Sequence, residues 1–325
     1  MSNKLVKSPL SIAVSAALSA SVACIPFVNA DQNPFAMKEL KSGYMQFAEG
    51  KCGAGLGLRR SFIDDLSTSF PQSVNFLEVA PENWIDVGGR FAAALEHATS
   101  HAPLVCHGLS LNLGGLAPID EAFVHRVKNF LATFQVTHYS EHLSYCADEG
   151  HLYDLMPIPF TSAAVNHVAD RIKRVQDILG HCIAVENVSY YAAPGKSMDE
   201  IEFLNSVLEQ ADCQLLLDVN NIYVNSINHN YDPVDFLQAL SGDRIAYGHI
   251  AGHYNEAEDL LVDTHGADII DPVWSLLEQA YDHFGVFPTL LERDFNIPSV
   301  TDLISEVDQI SAIQEKFATS AEVRV

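Results

Sequence analysis

Six short apolar runs in this chain each end in a side chain that can ligate a metal: Val-Cys-His107, Tyr-Ser-Glu141-His142, Ala-Val-Glu186-Asn187, Leu-Leu-Asp218-Val-Asn220-Asn221, Gly-His249-Ile-Ala-Gly-His253 and Leu-Leu-Glu292. Imidazoles mixed with carboxylates, with no convergent cysteine set, suit iron, manganese or zinc in a reactive site better than a structural thiolate site. A lone strand-end acid usually caps the next helix or pairs with a base. Six in succession need another reason, because crowded carboxylates raise one another's pKa and a cation relieves that cost. Asp263-Thr-His265-Gly266 adds two ligand types spaced so that one turn can chelate an ion. His138 and His229 stand alone and read as satisfied histidines, and Cys106 and Cys146 as core or loop residues.

Residues scattered from 107 to 292 can converge only if the elements carrying them end on one face. Eight apolar runs alternate with helical patterns: Gly55–Arg59, Asn75–Val79, Leu104–His107, Val136–Ser140, Ile183–Glu186, Leu215–Asp218, Ile245–His249 and Pro288–Glu292. Helices are expected over Asp120–Phe134, Ser162–Leu179, Ser197–Gln210, Pro233–Leu240 and Pro272–Phe284. Repeated β-then-α units predict a closed parallel (β/α)8 TIM barrel over residues 54–325, whose strand ends share one mouth. The 325 residues, 48% apolar, suffice for one barrel of about 250 residues. A formal net charge of −24 opposes binding to nucleic acid or anionic membrane surfaces. The six cysteines form no CxxC pair, which suits a reducing, cytoplasmic setting for the barrel.

The head differs. Residues 1–30 carry Lys4 and Lys7, an apolar run from Ser11 to Val28 and Val-Asn-Ala30, the layout of a signal peptide; no stable membrane span is expected from so short and Ala-rich a run. Residues 31–53 read as a mostly disordered linker holding one Glu49-Gly-Lys-Cys-Gly53 motif, with a short amphipathic helix over 35–47.

Gly55-Leu-Gly-Leu-Arg-Arg60, Leu77-Glu-Val-Ala-Pro-Glu-Asn-Trp84, His107-Gly-Leu-Ser-Leu111, Ser140-Glu-His-Leu-Ser144, Leu217-Asp-Val-Asn-Asn-Ile-Tyr-Val224, His249-Ile-Ala-Gly-His253, Asp263-Thr-His-Gly266 and Leu291-Glu-Arg-Asp294 together resemble the DUF692 (UPF0276) family of multinuclear non-haem iron-dependent oxidases. That resemblance covers nearly everything after Gly53. It implies a xylose-isomerase-like barrel holding two or three irons as mixed Fe(II)/Fe(III), which uses O2 to convert cysteines of a ribosomally made precursor peptide into heterocycles such as a thiooxazole or an oxazolone with thioamide. A peptide-presenting partner protein commonly assists. Carried over by motif, Glu186, Asp218, His249 and Glu292 hold one iron. Glu186 bridges towards His107 and His142, and Asn221, Asp263 and His265 form another site within reach of His253. Asn187, Asn220 and Tyr190 support these ligands. Ala80 stands where some relatives have His, which bears on the iron count. The head resembles the leader and first repeat of the copper-related precursors made beside such oxidases. Three rivals stay open: a divalent-metal sugar isomerase or epimerase, a phosphodiesterase like endonuclease IV, and a non-catalytic metal-binding peptide carrier.

Overall fold

The computed structural model describes residues 53–147 and 150–323, with a short antiparallel pairing of Lys38–Glu39 against Met45–Gln46 ahead of them. That pairing replaces the expected helix over 35–47, where Gly43 would cost a helix about 1 kcal/mol. The signal-like residues 1–30, the rest of the linker and Cys52 lie outside the described residues.

From Gly53 onward, eight parallel strands close into a barrel: β1 Ala54–Gly57, β2 Phe76–Val79, β3 Leu104–Gly108, β4 Tyr139–His142, β5 Ala184–Glu186, β6 Gln214–Asp218, β7 Ile245–Ile250 and β8 Thr289–Leu291. Each strand pairs with its sequence neighbours, and β8 returns to β1. Strands such as Gln214-Leu-Leu-Leu-Asp218 are buried along nearly all their length, so they read as apolar runs without alternation. Phe76, Val105, Ala184, Leu216, Ala246, Tyr247 and Leu290 fill the interior as a packed layer. Gly55 is required by that layer, because a Cβ there would collide with the Phe76 ring.

A larger apolar shell joins the strands to the surrounding helices. Four expected helices appear within two residues, as Glu121–Thr133, Ser162–Leu179, Pro233–Gln238 and Asp271–Phe284, while the fifth starts late, at Glu200–Ala211. Local chemistry sets their ends: Thr161 accepts from Ala164 N–H at the start of Ser162–Leu179, and Gly180 ends it at φ 87°. Two hairpins, Tyr145–Ala147 with His151–Met156 and Tyr254–Ala257 with Leu260–Val262, follow β4 and β7 at the end where the ligand-type residues emerge. No helix among the described residues is long and apolar enough to cross a membrane.

Candidate metal centre

The barrel register makes neighbours of the strand-end residues. His142 lies opposite Glu186, and Asp218 opposite His249. Three overlapping groups result: His107, His142 and Glu186; Glu186, Asp218, His249 and Glu292; and His265, Glu292 and Asp294. Glu186 belongs to the first two and Glu292 to the last two, so the groups form a chain joined by carboxylates.

His107, His142 and His249 each have one nitrogen tied to the protein scaffold and the other turned inward. His107 Nδ1 meets Ser140 Oγ at 2.8 Å while its Nε2 lies 3.0 Å from Glu186 Oε2. His142 Nδ1 donates to Gly108 O at 3.0 Å, leaving Nε2 3.3 Å from the same Glu186 oxygen and 3.1 Å from His107 Nε2. His249 Nε2 donates to Glu78 Oε2 at 3.0 Å and its Nδ1 lies 2.9 Å from Glu292 Oε2. His265 Nε2 sits 2.7 Å from Asp263 Oδ1, with Nδ1 3.2 Å from Glu292. Tying one ring nitrogen to a carboxylate, carbonyl or hydroxyl is how proteins fix the tautomer and aim of a metal-binding histidine.

Several of the inward atoms approach one another without the alignment of hydrogen bonds. Among the described residues, buried polar atoms left without a hydrogen-bond partner include Glu186 Oε2, Asp218 Oδ2, Asn221 Oδ1, His249 Nδ1 and His265 Nε2. Such orphans cost roughly 1–3 kcal/mol each, and a cation held by lone pairs removes the cost. Oxygen and nitrogen donors on this spacing therefore fit divalent metal ions of the iron, manganese or zinc type.

The electrostatics agree. Asp218 is fully buried, and burial pushes its carboxyl up, with Glu186 and Asp263 adding to the shift and His265 opposing it. Burial acts against the charge on His142, yet Glu186 and Glu141 hold its pKa up at about 9. Burial also opposes ionisation of Glu186, but His142 and His107 bring it down to about 2. Protonated imidazoles thus balance the carboxylates, and metal binding would release those protons.

Asp218 serves two purposes at once. Its Oδ1 accepts from Asn221 N–H at 2.6 Å as N-cap of the helix Val219–His229, and its Oδ2 is buried without a hydrogen-bond partner. Asn187 fixes that backbone by a reciprocal pair, Asn187 Nδ2 to Asp218 O and Asp218 N–H to Asn187 Oδ1, both 2.9 Å. Asn221 Nδ2 donates to Glu186 Oε1 at 3.3 Å. Asn220 donates to Asp263 Oδ1 at 3.0 Å and accepts from His253 Nδ1 at 2.7 Å, so Asp263 and His253 border the His265 end. Tyr190 turns its hydroxyl to Glu200 at 3.0 Å and stacks on His229, outside the three groups. His138 is buried beside Thr137, and Cys146 donates to Leu109 O; neither cysteine near the pocket joins a group.

Sequence reasoning passed over two residues as ligands or supports. Asp294, two positions beyond Glu292, completes the third group and pairs with Arg59. Glu78, an acid within an otherwise apolar strand, accepts from His249 and from Tyr247 OH at 2.7 Å. An acid flanked by apolar strand residues was the available signal. The Glu78–His249 contact predicts that Glu78→Gln keeps the fold but weakens metal binding roughly 10–100-fold, because the neutral amide no longer raises the basicity of the imidazole. Competition with a chelator of known affinity measures this; unchanged affinity would show that His249 needs no such support.

The family model described as RiPP precursor modification enzyme MbnB/TglH/ChrH matches residues 53–315. A UPF0276 protein of Shewanella sediminis is 58% identical over 260 residues, covering 80% of this chain and 94% of its own length. One of Nitrosospira multiformis is 57% identical over 269 residues, covering 82% and 95%. Among solved structures, a D-psicose 3-epimerase aligns with TM-score 0.53 at 11% identity, covering 84% of this chain and 99% of that one. Endonuclease IV of Thermus thermophilus aligns with TM-score 0.53 at 14% identity, covering 81% and 99%. These structural likenesses establish a shared xylose-isomerase-like barrel only.

Proposed function

The chain belongs to the MbnB/TglH/ChrH family of RiPP precursor modification enzymes, and from that premise we propose that it is an iron- and O2-dependent oxidase acting on cysteines of a ribosomally made precursor peptide linked to copper-binding peptide biosynthesis. The observation that carries the reading is the chain of three ligand groups, with His107, His142 and His249 each aimed inward by a scaffold bond. His107, His142 and Glu186 would hold one iron, Glu186, Asp218, His249 and Glu292 a second, and His265, Glu292 and Asp294 a third. Bound iron supplies Lewis acidity towards a thiolate and the redox capacity that oxidation by O2 requires.

The chain's own residues aim and buffer that centre. Ser140, Gly108 and Glu78 set the tautomers of His107, His142 and His249. Asn187 holds Asp218 in place, and Arg59 offsets the charge of Glu292 and Asp294 at the rim. Cys106, Cys146 and Cys213 are buried free thiols, which suits a reducing cytoplasm for the barrel. A partner protein that presents the peptide fits the family. The epimerase and endonuclease readings rest on the barrel alone, which hosts many chemistries.

Anaerobic reconstitution with Fe(II), followed by a synthetic peptide of Glu-Gly-Lys-Cys-Gly repeats and controlled O2, tests the proposal. Mass spectrometry is expected to show a change at the peptide cysteines only when both iron and O2 are supplied. Full occupancy by zinc with no iron-dependent mass change would overturn it in favour of hydrolysis or isomerisation.

A further inference from the structure

We propose that the outer edge of the Tyr254–Ala257 strand is a docking edge on which an extended, lysine- and cysteine-bearing peptide lies as a third strand. The inference rests on the peptide-modifying reading above. The hairpin has two edges, and the protein treats them differently. On the Leu260–Val262 side, Leu261 donates its N–H to Asn228 Oδ1 at 2.8 Å and accepts from Asn228 Nδ2 at 2.9 Å. One side chain thereby closes that edge as a neighbouring strand would.

The same two bonds show where the other edge points. Leu261 lies opposite Asn255. Since both backbone groups of Leu261 face away from its partner, the two residues form a non-hydrogen-bonded antiparallel pair, and Asn255 must present its own N–H and C=O outward. Tyr254, Asn255, Glu256 and Ala257 are all exposed, and no described strand pairs with their outer edge. Unpaired edges of this kind template the addition of an extended chain.

Position and charge select the occupant. The hairpin leaves β7 just after His249 and His253 and leads through Leu261 and Val262 into Asp263 and His265. Asp263 lies two positions along the chain from Leu261, about 7 Å, so a peptide paired at Asn255 runs beside the His265 end of the ligand groups. Glu256, Glu258 and Asp259 are exposed around the turn. Those charges repel a second copy of the same edge and suit a lysine-bearing strand. The exposed Tyr254 ring adds an apolar contact beside it.

The test is titration of a fluorescein-labelled synthetic peptide of three Glu-Gly-Lys-Cys-Gly repeats onto the full chain. Asn255→Pro removes the outward N–H without touching the ladder to Leu260–Val262, and is expected to raise Kd about tenfold while iron content stays unchanged. Asn255→Ala, which keeps the backbone groups, should bind like the wild type. Peptide should also slow hydrogen exchange at the Asn255 amide of the unaltered protein, a readout that does not depend on the proline variant folding. Equal affinity for Asn255→Pro, no saturable binding to the wild type, no protection of Asn255 with peptide bound, or a dimer that the proline abolishes would each overturn the proposal. A peptide oxidised normally with Asn255 unprotected sinks the docking edge alone. Protection of Asn255 without any mass change sinks the oxidase reading alone.

Discussion

Glu186→Gln is expected to lose two of three metal positions together and to abolish activity, whereas Asp294→Asn loses one at most. Glu186 is 2% exposed and contributes to both the His107–His142 group and the Asp218–His249–Glu292 group. A glutamine has nearly the same shape but no charge, and its nitrogen would turn a donor towards a cation at one of two oxygens that both have inward neighbours. No adjacent side chain can replace the bridging carboxylate, since the nearest buried acids already have partners: Glu78 with His249, and Glu141 with Tyr139 at 3.0 Å. The metal's contribution to stabilising charge in the transition state is worth several kcal/mol, so the rate falls by on the order of 10²–10³-fold at the least. Metal analysis after anaerobic reconstitution, paired with peptide turnover, reads both effects. Thermal stability of the metal-free protein should fall, because Glu186 is held ionised by His142 and His107 and its loss leaves those buried imidazoles without their counter-charge. Full metal content and full activity in Glu186→Gln would reduce the groups to ion-pair networks.

Modification of the chain's own Glu49-Gly-Lys-Cys-Gly53 motif is expected to be bimolecular, with no reaction at Cys52 by the active site of the same molecule. Cys52 lies outside the described residues, but Gly53 is the first residue of the barrel, and its carbonyl accepts from Thr289 N–H at 3.1 Å and from Gln314 Nε2 at 3.3 Å. Thr289 begins β8, and Ala54 pairs with it. The chain therefore enters at the N-terminal end of the strands. Glu292 follows β8 at the other end, three residues above Thr289, about 10 Å along the strand. Between the two ends stands the layer of Phe76, Val105, Leu216, Tyr247 and Leu290. One peptide unit spans only about 3.8 Å, so a cysteine joined directly to Gly53 cannot pass that layer or round the barrel. Mixing an inactive Asp218→Ala chain with an active chain lacking Cys52, then mapping the mass change, should place it on the inactive partner at a rate that rises with concentration. A rate independent of concentration in a single active chain would contradict the way β1 joins the barrel.

Much of this arrangement was legible in the residues themselves. Apolar runs ending in His107, Glu186, Asp218, His249 and Glu292, separated by helical patterns, specify parallel strands, and a parallel barrel puts every strand end at one mouth. All eight expected strands have a counterpart, because apolar runs of this kind have no stable alternative to burial on both faces. The fourth, however, begins at Tyr139 rather than Val136 and runs on to His142, since its Thr-His-Tyr-Ser-Glu-His stretch has no continuous apolar run to mark its ends. The ligand chemistry followed from residue types alone. What the linear order could not show was which atoms meet. Glu78 reaches His249 across 171 positions only because β2 and β7 face one another through the closed barrel. Asp218 Oδ1 is taken by its own helix cap, leaving only Oδ2 for a cation. Asp263 is held by Asn220 and Ser189 beside His265, while Asp294, not distinguished by its run, completes the third group. Residue type and spacing determine which side chains can bind a metal and on which face they emerge; the pairing register and ring closure, set by packing of the whole core, decide which nitrogen and which oxygen point at the same place.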